Sequence, residues 1–194
     1  MKNINREDLM SLESYAQQRA EYRREVLDHK KDRSLQLGKA VTLLFEDRKT
    51  IQYQIQEMLR IEKIFESEGI DEELSAYNPL IPDGDNWKAT MLIEYPDPVE
   101  RKEALQRLVN IENQIWVQVG ENERIYAISD EDLDRTRDDK TSSVHFLRFQ
   151  LSPEITENIK EETPIIFGID HPEYNFDSGE ISGGFRKSIM NDLD

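Results

Sequence analysis

Apolar side chains recur at a helical period over Thr50 to Gly69, at Ile51, Ile55, Met58 or Leu59, Ile61 and Phe65. The stretch predicts a long amphipathic core helix from about Arg48 to Ser67, closed by Gly69 in the left-handed conformation that Gly adopts at low cost. Upstream, Leu9, Leu12, Tyr15 and Ala16 keep the same period after Asn5, a candidate cap with Asp8 three residues on. A charged helix continues over Arg19 to Asp32 with a narrow stripe of Tyr22, Val26 and His29. The period changes to two at Leu35 and Leu37, Gly38 punctuates, and Val41, Leu43 and Phe45 mark a strand face.

Beyond the long helix, Ile70 to Tyr77 predicts a short helix with Asp71 as cap. Asn78 to Trp87, with two Pro and one Gly, predicts a loop. Alternation over Lys88 to Tyr95 predicts a strand. Asp97-Pro98-Val99-Glu100 supplies an N-cap, a proline at the first helical position and an acid in the first turn, so a helix should run from there to about Gln114. Ile115–Val119 and Arg124–Ile128 form a hairpin around Gly120-Glu121-Asn122-Glu123. Ser129 to Thr141 is dense in charge and predicts a short exposed helix or a mobile loop. Val144 to Leu151 is a strand, Ser152-Pro153 opens a helix to about Lys160, and Pro164 to Ile169 is a short buried strand. Asp170 to Gly179 predicts a loop and Ile181 to Leu193 a last amphipathic helix. The order is not a strict βα alternation. It predicts an α+β fold, a mixed but largely antiparallel sheet of about five to six strands with helices on one face. We read one domain over 1–194: an N-terminal helical segment (1–33), an α+β core (34–172) and a C-terminal loop and helix (173–194).

Charge narrows the function classes. The 25 basic and 41 acidic residues leave a net charge of −16, which repels duplex DNA and anionic membranes at long range. The densest basic run, Arg19 to Arg33, is interleaved with Glu21, Glu25, Asp28 and Asp32 and reads as a solvated helix face. No nucleic-acid or membrane partner is therefore expected. The sequence holds no Cys, which removes disulfides, thiol catalysis and Cys-ligated zinc or iron–sulfur centres within it. The first residues lack an apolar signal core and no 18-residue apolar run follows, so cytoplasmic residence is the expectation.

Motif chemistry is sparse. Gly179 and Gly183-Gly184 do not follow a predicted strand, and neither a phosphate-binding GxxxxGK[ST], a GxSxG nor an HExxH pattern occurs. Among the histidines, His145 shares an apolar strand face with Leu147, Phe149 and Leu151, as a satisfied core residue would. His171, in Gly168-Ile169-Asp170-His171-Pro172, comes directly after the short strand at Pro164 to Ile169, where functional groups collect and where a turn equally needs polar side chains. Asp170 and His171 could serve as general base or metal ligand. For a metal site, His145 and His171 would join one or two carboxylates from Glu57, Glu62 or Glu94, a nitrogen–oxygen set suited to iron, manganese or zinc. On the long helix, Tyr53, Glu57 and Arg60 fall on one side, either as an internal ion pair or as an acid-binding margin. Glu57, Arg60, His145 and His171 are thus the catalytic candidates. Tyr53, Arg60 and Arg148 are the cofactor-binding candidates, and Glu57, Glu94, His145 and His171 the metal candidates. No cofactor is predicted; the alternative is a transition metal on that last set.

Longer stretches carry a resemblance. Val41–Asp47 (VTLLFED), Gln54–Glu62 (QIQEMLRIE), Tyr77–Gly84 (YNPLIPDG), Ile93–Pro98 (IEYPDP), Thr141–Phe149 (TSSVHFLRF) and Gly168–Pro172 (GIDHP) resemble a bacterial family known as domain of unknown function 3501, at least from Arg6 to Pro172. The resemblance implies genes beside a rubrerythrin-like protein and a cysteine-rich iron–sulfur oxidoreductase, hence oxidative-stress or electron-transfer physiology. It implies no cofactor and no catalytic residue. The resulting expectation is a non-catalytic accessory or adaptor protein for such a redox partner, steered by its acidic surface. The alternative is a metal-dependent or small-molecule enzyme with a pocket joining Tyr53, Glu57 and Arg60 to His145 and His171.

Overall fold

The computed structural model describes residues 2–131, 135, 139–159 and 162–194. The first elements are set by local chemistry. Asn5 N donates to the Asp8 carboxylate at 2.8 Å over a single 3-10 turn, Arg6–Asp8. The chain then restarts at Ser11, whose hydroxyl caps helix α1 (Leu12–Lys31) by accepting from Ser14 N. Strands β1 (Ser34–Leu37) and β2 (Val41–Phe45) form a hairpin around Gly38, which adopts φ +72°. Asp47 caps α2 (Arg48–Glu62). That helix is shorter than its periodicity predicts. Lys63 turns left-handed at φ 55° and ends it, and Gly69 lies inside the following helix α3 (Ser67–Tyr77) instead of closing α2. Phe65 and Ile61 consequently face solvent, 73% and 57% exposed.

The α+β class and the antiparallel pairing are as the sequence predicts, with the strands shared between two sheets. One runs β1-β2-β3-β7-β6, with β3 (Asn86–Ile93), β7 (Val144–Gln150) and β6 (Ile128–Ser129). The other runs β5-β4-β8-β9, with β5 (Ile125–Tyr126), β4 (Ile115–Val119), β8 (Ile165–His171) and β9 (Tyr174–Glu180). The predicted hairpin is present as β4 and β5. Its second arm leaves the sheet at Ala127, and the next two residues pair with β7 of the other sheet. The alternating apolar residues of β2, β3 and β7 meet those of β4 and β8 in one core. At its centre Phe167 packs edge-on against Phe45, at 5.1 Å, and Phe149, at 5.4 Å, with Trp87 at 5.8 Å. Each such fully buried side chain contributes on the order of 1.5–3 kcal/mol. Trp87, placed in a loop by its neighbouring Pro and Gly, belongs to β3 and is wholly buried.

Helix α4 (Pro98–Arg107) starts as predicted, Asp97 accepting from Val99 N and Glu100 N. It stops at Arg107 because Asn110 takes φ 73° before a second turn at Ile111–Gln114. Ser152 caps α5 (Pro153–Asn158); its expected end at Lys160 lies outside the described residues, as does most of the charged segment between Ser129 and Thr141. The predicted loop at 170–179 is instead the second half of a hairpin, because β9 pairs with β8 from His171↔Tyr174 to Ile166↔Glu180. The tail closes as α6 (Gly183–Met190), with Ile189 in the main core. Helices α1 to α3 enclose a second, smaller apolar cluster of Ile4, Ile51, Ile55, Leu59, Leu74 and Ile81.

Candidate functional site

The residues predicted to share a pocket sit in separate networks. On the helical layer, Glu57 accepts from the Tyr15 hydroxyl at 2.6 Å and from Arg19 at 2.7 and 2.8 Å, with Arg60 Nη2 at 3.3 Å. The Arg19 hydrogen bonds, ahead of every other cause, hold its carboxyl down at about 2. Burial and the bond to Glu57 push the Tyr15 hydroxyl up. Tyr53 packs on Tyr22 at 6.0 Å with Lys30 over its ring. This margin is an ion-pair seal between α1 and α2. Since Glu57 is depressed in the fold, its contribution is full above its ordinary value near 4.5 and is lost as pH falls towards 2. Glu57→Gln should therefore cost about 1–3 kcal/mol at pH 7. The gap from the parent should close by pH 2 in urea titrations; a gap that is constant with pH would refute the ion-pair account.

His145 has no exposed surface. Its Nδ1 lies 2.6 Å from Asp130 Oδ2, and its Nε2 lies 2.8 Å from Thr141 Oγ1 and 3.1 Å from the Ser142 carbonyl. Acid, imidazole and hydroxyl follow one another as in a nucleophilic triad, but the protons run the other way. The Thr141 hydroxyl donates to Glu112 at 3.1 Å, and Nε2 faces a carbonyl that can only accept. The ring thus links Asp130 to Thr141 and, through the Thr141 hydroxyl, to Glu112.

His171 contacts the same connection after α4, and for a different purpose. Its Nε2 reaches the Val109 carbonyl at 3.1 Å, and its Nδ1 accepts from Glu173 N at 3.2 Å. The ring thereby shapes the β8–β9 turn. Glu94 accepts from Thr42 at 2.7 Å. Neither histidine meets Glu57 or Glu94, and among the described residues no group of three or more His, Asp or Glu is placed to hold a metal ion. Nor is any described helix long and apolar enough to cross a membrane.

Two of the candidates border cavities: Glu94, beside Tyr95 and Arg101, and Arg148. Arg148 projects from the outer face of β7 and is held by Glu131 in a two-pronged contact at 2.8 and 2.7 Å. A cleft of about 560 Å³ opens there, between β3, β7 and the loop at Pro79 to Asp83. Two features went unread in the sequence. Arg33 is 2% exposed and donates to the Phe45, Glu46 and Ser188 carbonyls and to Asp192 at 2.5 Å. It looked like one more member of a solvated charge run, and only its position at the end of α1, beside β1, hinted otherwise. The second is an apolar groove of about 300 Å³ lined by Leu9, Leu12, Leu59, Ile64, Phe65 and Ile70.

Comparison with known proteins follows this geometry. A family model described as "Protein of unknown function (DUF3501)" matches residues 3–193. That span includes the C-terminal stretch in which the sequence motifs gave out. A crystal structure of a novel protein of unknown function from Burkholderia pseudomallei is similar over 100% of both chains, at 46% identity and a TM-score of 0.93. No curated protein matches the chain.

Proposed function

The chain belongs to the DUF3501 family of proteins of unknown function, and from that premise we propose that it is a non-catalytic accessory protein that docks a redox protein through the apolar groove of its helical layer. The observation that carries this is the surface around Phe65. Its ring and Ile61 stand exposed beside the groove, at a cost in hydration that a monomer ordinarily avoids unless the patch has a use. Near it in the chain, exposed Glu62, Glu66, Glu68 and Glu72 outnumber exposed Lys63, and Arg6 lines the groove, so the fitting partner has an apolar knob with mainly basic residues about it. That the partner is a rubrerythrin-like or iron–sulfur protein rests on the gene neighbourhood that the family resemblance implies. The alternative, an enzyme joining Tyr53, Glu57 and Arg60 to His145 and His171, has less to draw on. Those side chains belong to three networks, and the acids and bases among them are already hydrogen-bonded internally.

The test uses purified rubrerythrin-like and iron–sulfur proteins of the kind that the family resemblance implies. Either should shift this protein on a sizing column at low salt, with an affinity that falls as salt rises. The pair I61E/F65E should abolish the shift while leaving the unfolding midpoint unchanged or raised, because neither side chain is in the core. Absence of a complex with both partners at low salt, or a complex indifferent to the double substitution, defeats the proposal.

A further inference from the structure

We propose that the cleft on the outer face of the first sheet binds a small monocarboxylate with an apolar body, in the place that Glu131 now holds against Arg148. The floor and walls are Ala89, Phe146, Leu147, Pro79 and Leu80, an apolar lining of the kind that takes up the body of a small ligand. Polar groups reach it at few points, and most are already committed. Lys88 Nζ is saturated by the Pro79 and Ile81 carbonyls, each at 2.8 Å, and by Asp83 at 2.7 Å. Glu46, 4% exposed, accepts from the Thr50 hydroxyl at 2.5 Å and the Thr90 hydroxyl at 2.7 Å.

Arg148 differs from these. Its planar fork is positioned by Gln150 Oε1 at 2.5 Å, and its other edge is taken by Glu131, whose side chain is 52% exposed. An exposed carboxylate binds weakly because water competes for both partners. An incoming carboxylate makes the same bidentate contact and adds the burial of its apolar body, which Glu131 does not have. Charge fixes the ligand class. Lys88 and Arg148 face the carboxylates of Glu46, Asp83 and Glu131. A monocarboxylate that displaces Glu131 towards solvent adds one negative charge to the cleft, whereas a phosphate dianion or a dicarboxylate would add two next to Glu46 and Asp83. Glu131 is thus an internal competitor for the anion seat.

Calorimetric titration with decanoate tests this on the full chain. Decanoate should bind saturably with one site, and decanol and inorganic phosphate at least about tenfold more weakly. Glu131→Gln should raise decanoate affinity about tenfold by removing the competitor. Arg148→Met should weaken it at least tenfold, and Arg148→Lys should fall between the two. Glu131 is on the surface, so its substitution leaves the fold intact, and a circular dichroism melt of the Arg148 variants verifies theirs. Saturable binding by E131Q alone also supports the assignment, since the competitor then dominates in the parent. No binding by either protein, decanol binding as tightly as decanoate, or affinity indifferent to both Glu131 and Arg148 overturns it. None of these outcomes bears on the groove at Phe65.

Discussion

Replacing Arg33 with methionine should cost about 3–5 kcal/mol of unfolding free energy at pH 7, read from urea denaturation. The guanidinium is buried where three segments meet. It takes the carbonyls of Phe45 and Glu46 at the end of β2, the Ser188 carbonyl and hydroxyl on α6, and the Asp192 carboxylate. Asp47, the cap of α2, lies 3.5 Å from its Nε. Methionine fills much of the volume and replaces none of the donors, so several buried acceptors lose their partner at once. Asp192 gives the loss a pH dependence. Burial outweighs the attraction of Arg33 and raises its carboxyl to about 6. For a group raised in the fold, the contribution to stability is fully present below the ordinary value near 3.8 and is lost as pH rises through about 6. Without Arg33 the ionised carboxylate has still less to offset its burial. The penalty of R33M should therefore be larger at pH 7 than at pH 5. The pair R33M/D192L, which removes both charges, should recover part of it. A penalty below about 1 kcal/mol, or one equal at both pH values, would mean that the contact is not formed in solution.

Arg33 also marks where the sequence stops being legible. Caps are short-range devices, and Asp97-Pro98 and Ser152-Pro153 mark α4 and α5 because every atom of the cap lies within four residues. The turn between β4 and β5 is equally local. By contrast, β9 reads as a loop because Asn175, Asp177, Ser178 and Glu180 have little strand preference. Pairing with β8 on one side alone makes it a strand, and an edge strand needs no apolar alternation. Arg33 and Asp192 meet across 159 residues, and nothing in either neighbourhood shows that a charge run and an acidic tail will be buried together. The same holds for the candidate site. His145 was legible as a core residue from its strand face, yet which acids would meet it was not. Tyr53, Glu57 and Arg60 shared a helical side, but the helix packs against α1, so Arg19 and Tyr15 close over Glu57 where a pocket had been expected. Arg148 was legible as outward-facing; the cleft beside it depends on the loop at Pro79 to Asp83, which lies more than sixty positions away in the chain.

Substituting His145 with leucine is expected to destabilise the protein by about 3–5 kcal/mol, and its value lies in separating two roles that the Asp130–His145–Thr141 row suggests equally well on paper. Leucine is close in volume, so the packing loss is small. What disappears is the hydrogen-bonded ring between Asp130, 7% exposed at the side chain, and Thr141, with Glu112, 3% exposed overall, 3.9 Å from Nε2. Asp130 holds a left-handed backbone at φ 48°, and its Oδ1 accepts from Phe146 N at 3.0 Å. That carboxylate therefore ties the crossover strand β6 to β7 just beyond the point where the chain changes sheets. Without the ring, Asp130 keeps its ion pair with Arg135 at 3.3 Å but loses the hydrogen bond to His145 Nδ1 that helps to offset its burial. Adding Asp130→Asn to H145L should restore about 1–2 kcal/mol by removing a buried carboxylate that has lost its ring partner while sparing the acceptor to Phe146. Hydrogen exchange should localise the damage, with the amides of Ile128, Ser129 and Phe146 losing protection before those of β3. A general base behaves otherwise: its removal leaves the unfolding curve nearly unchanged. A loss under about 1 kcal/mol in H145L would thus return His145 to the list of chemical groups, and a loss near 4 kcal/mol with partial rescue by D130N makes it the buried hydrogen-bonding link at the junction of the two sheets.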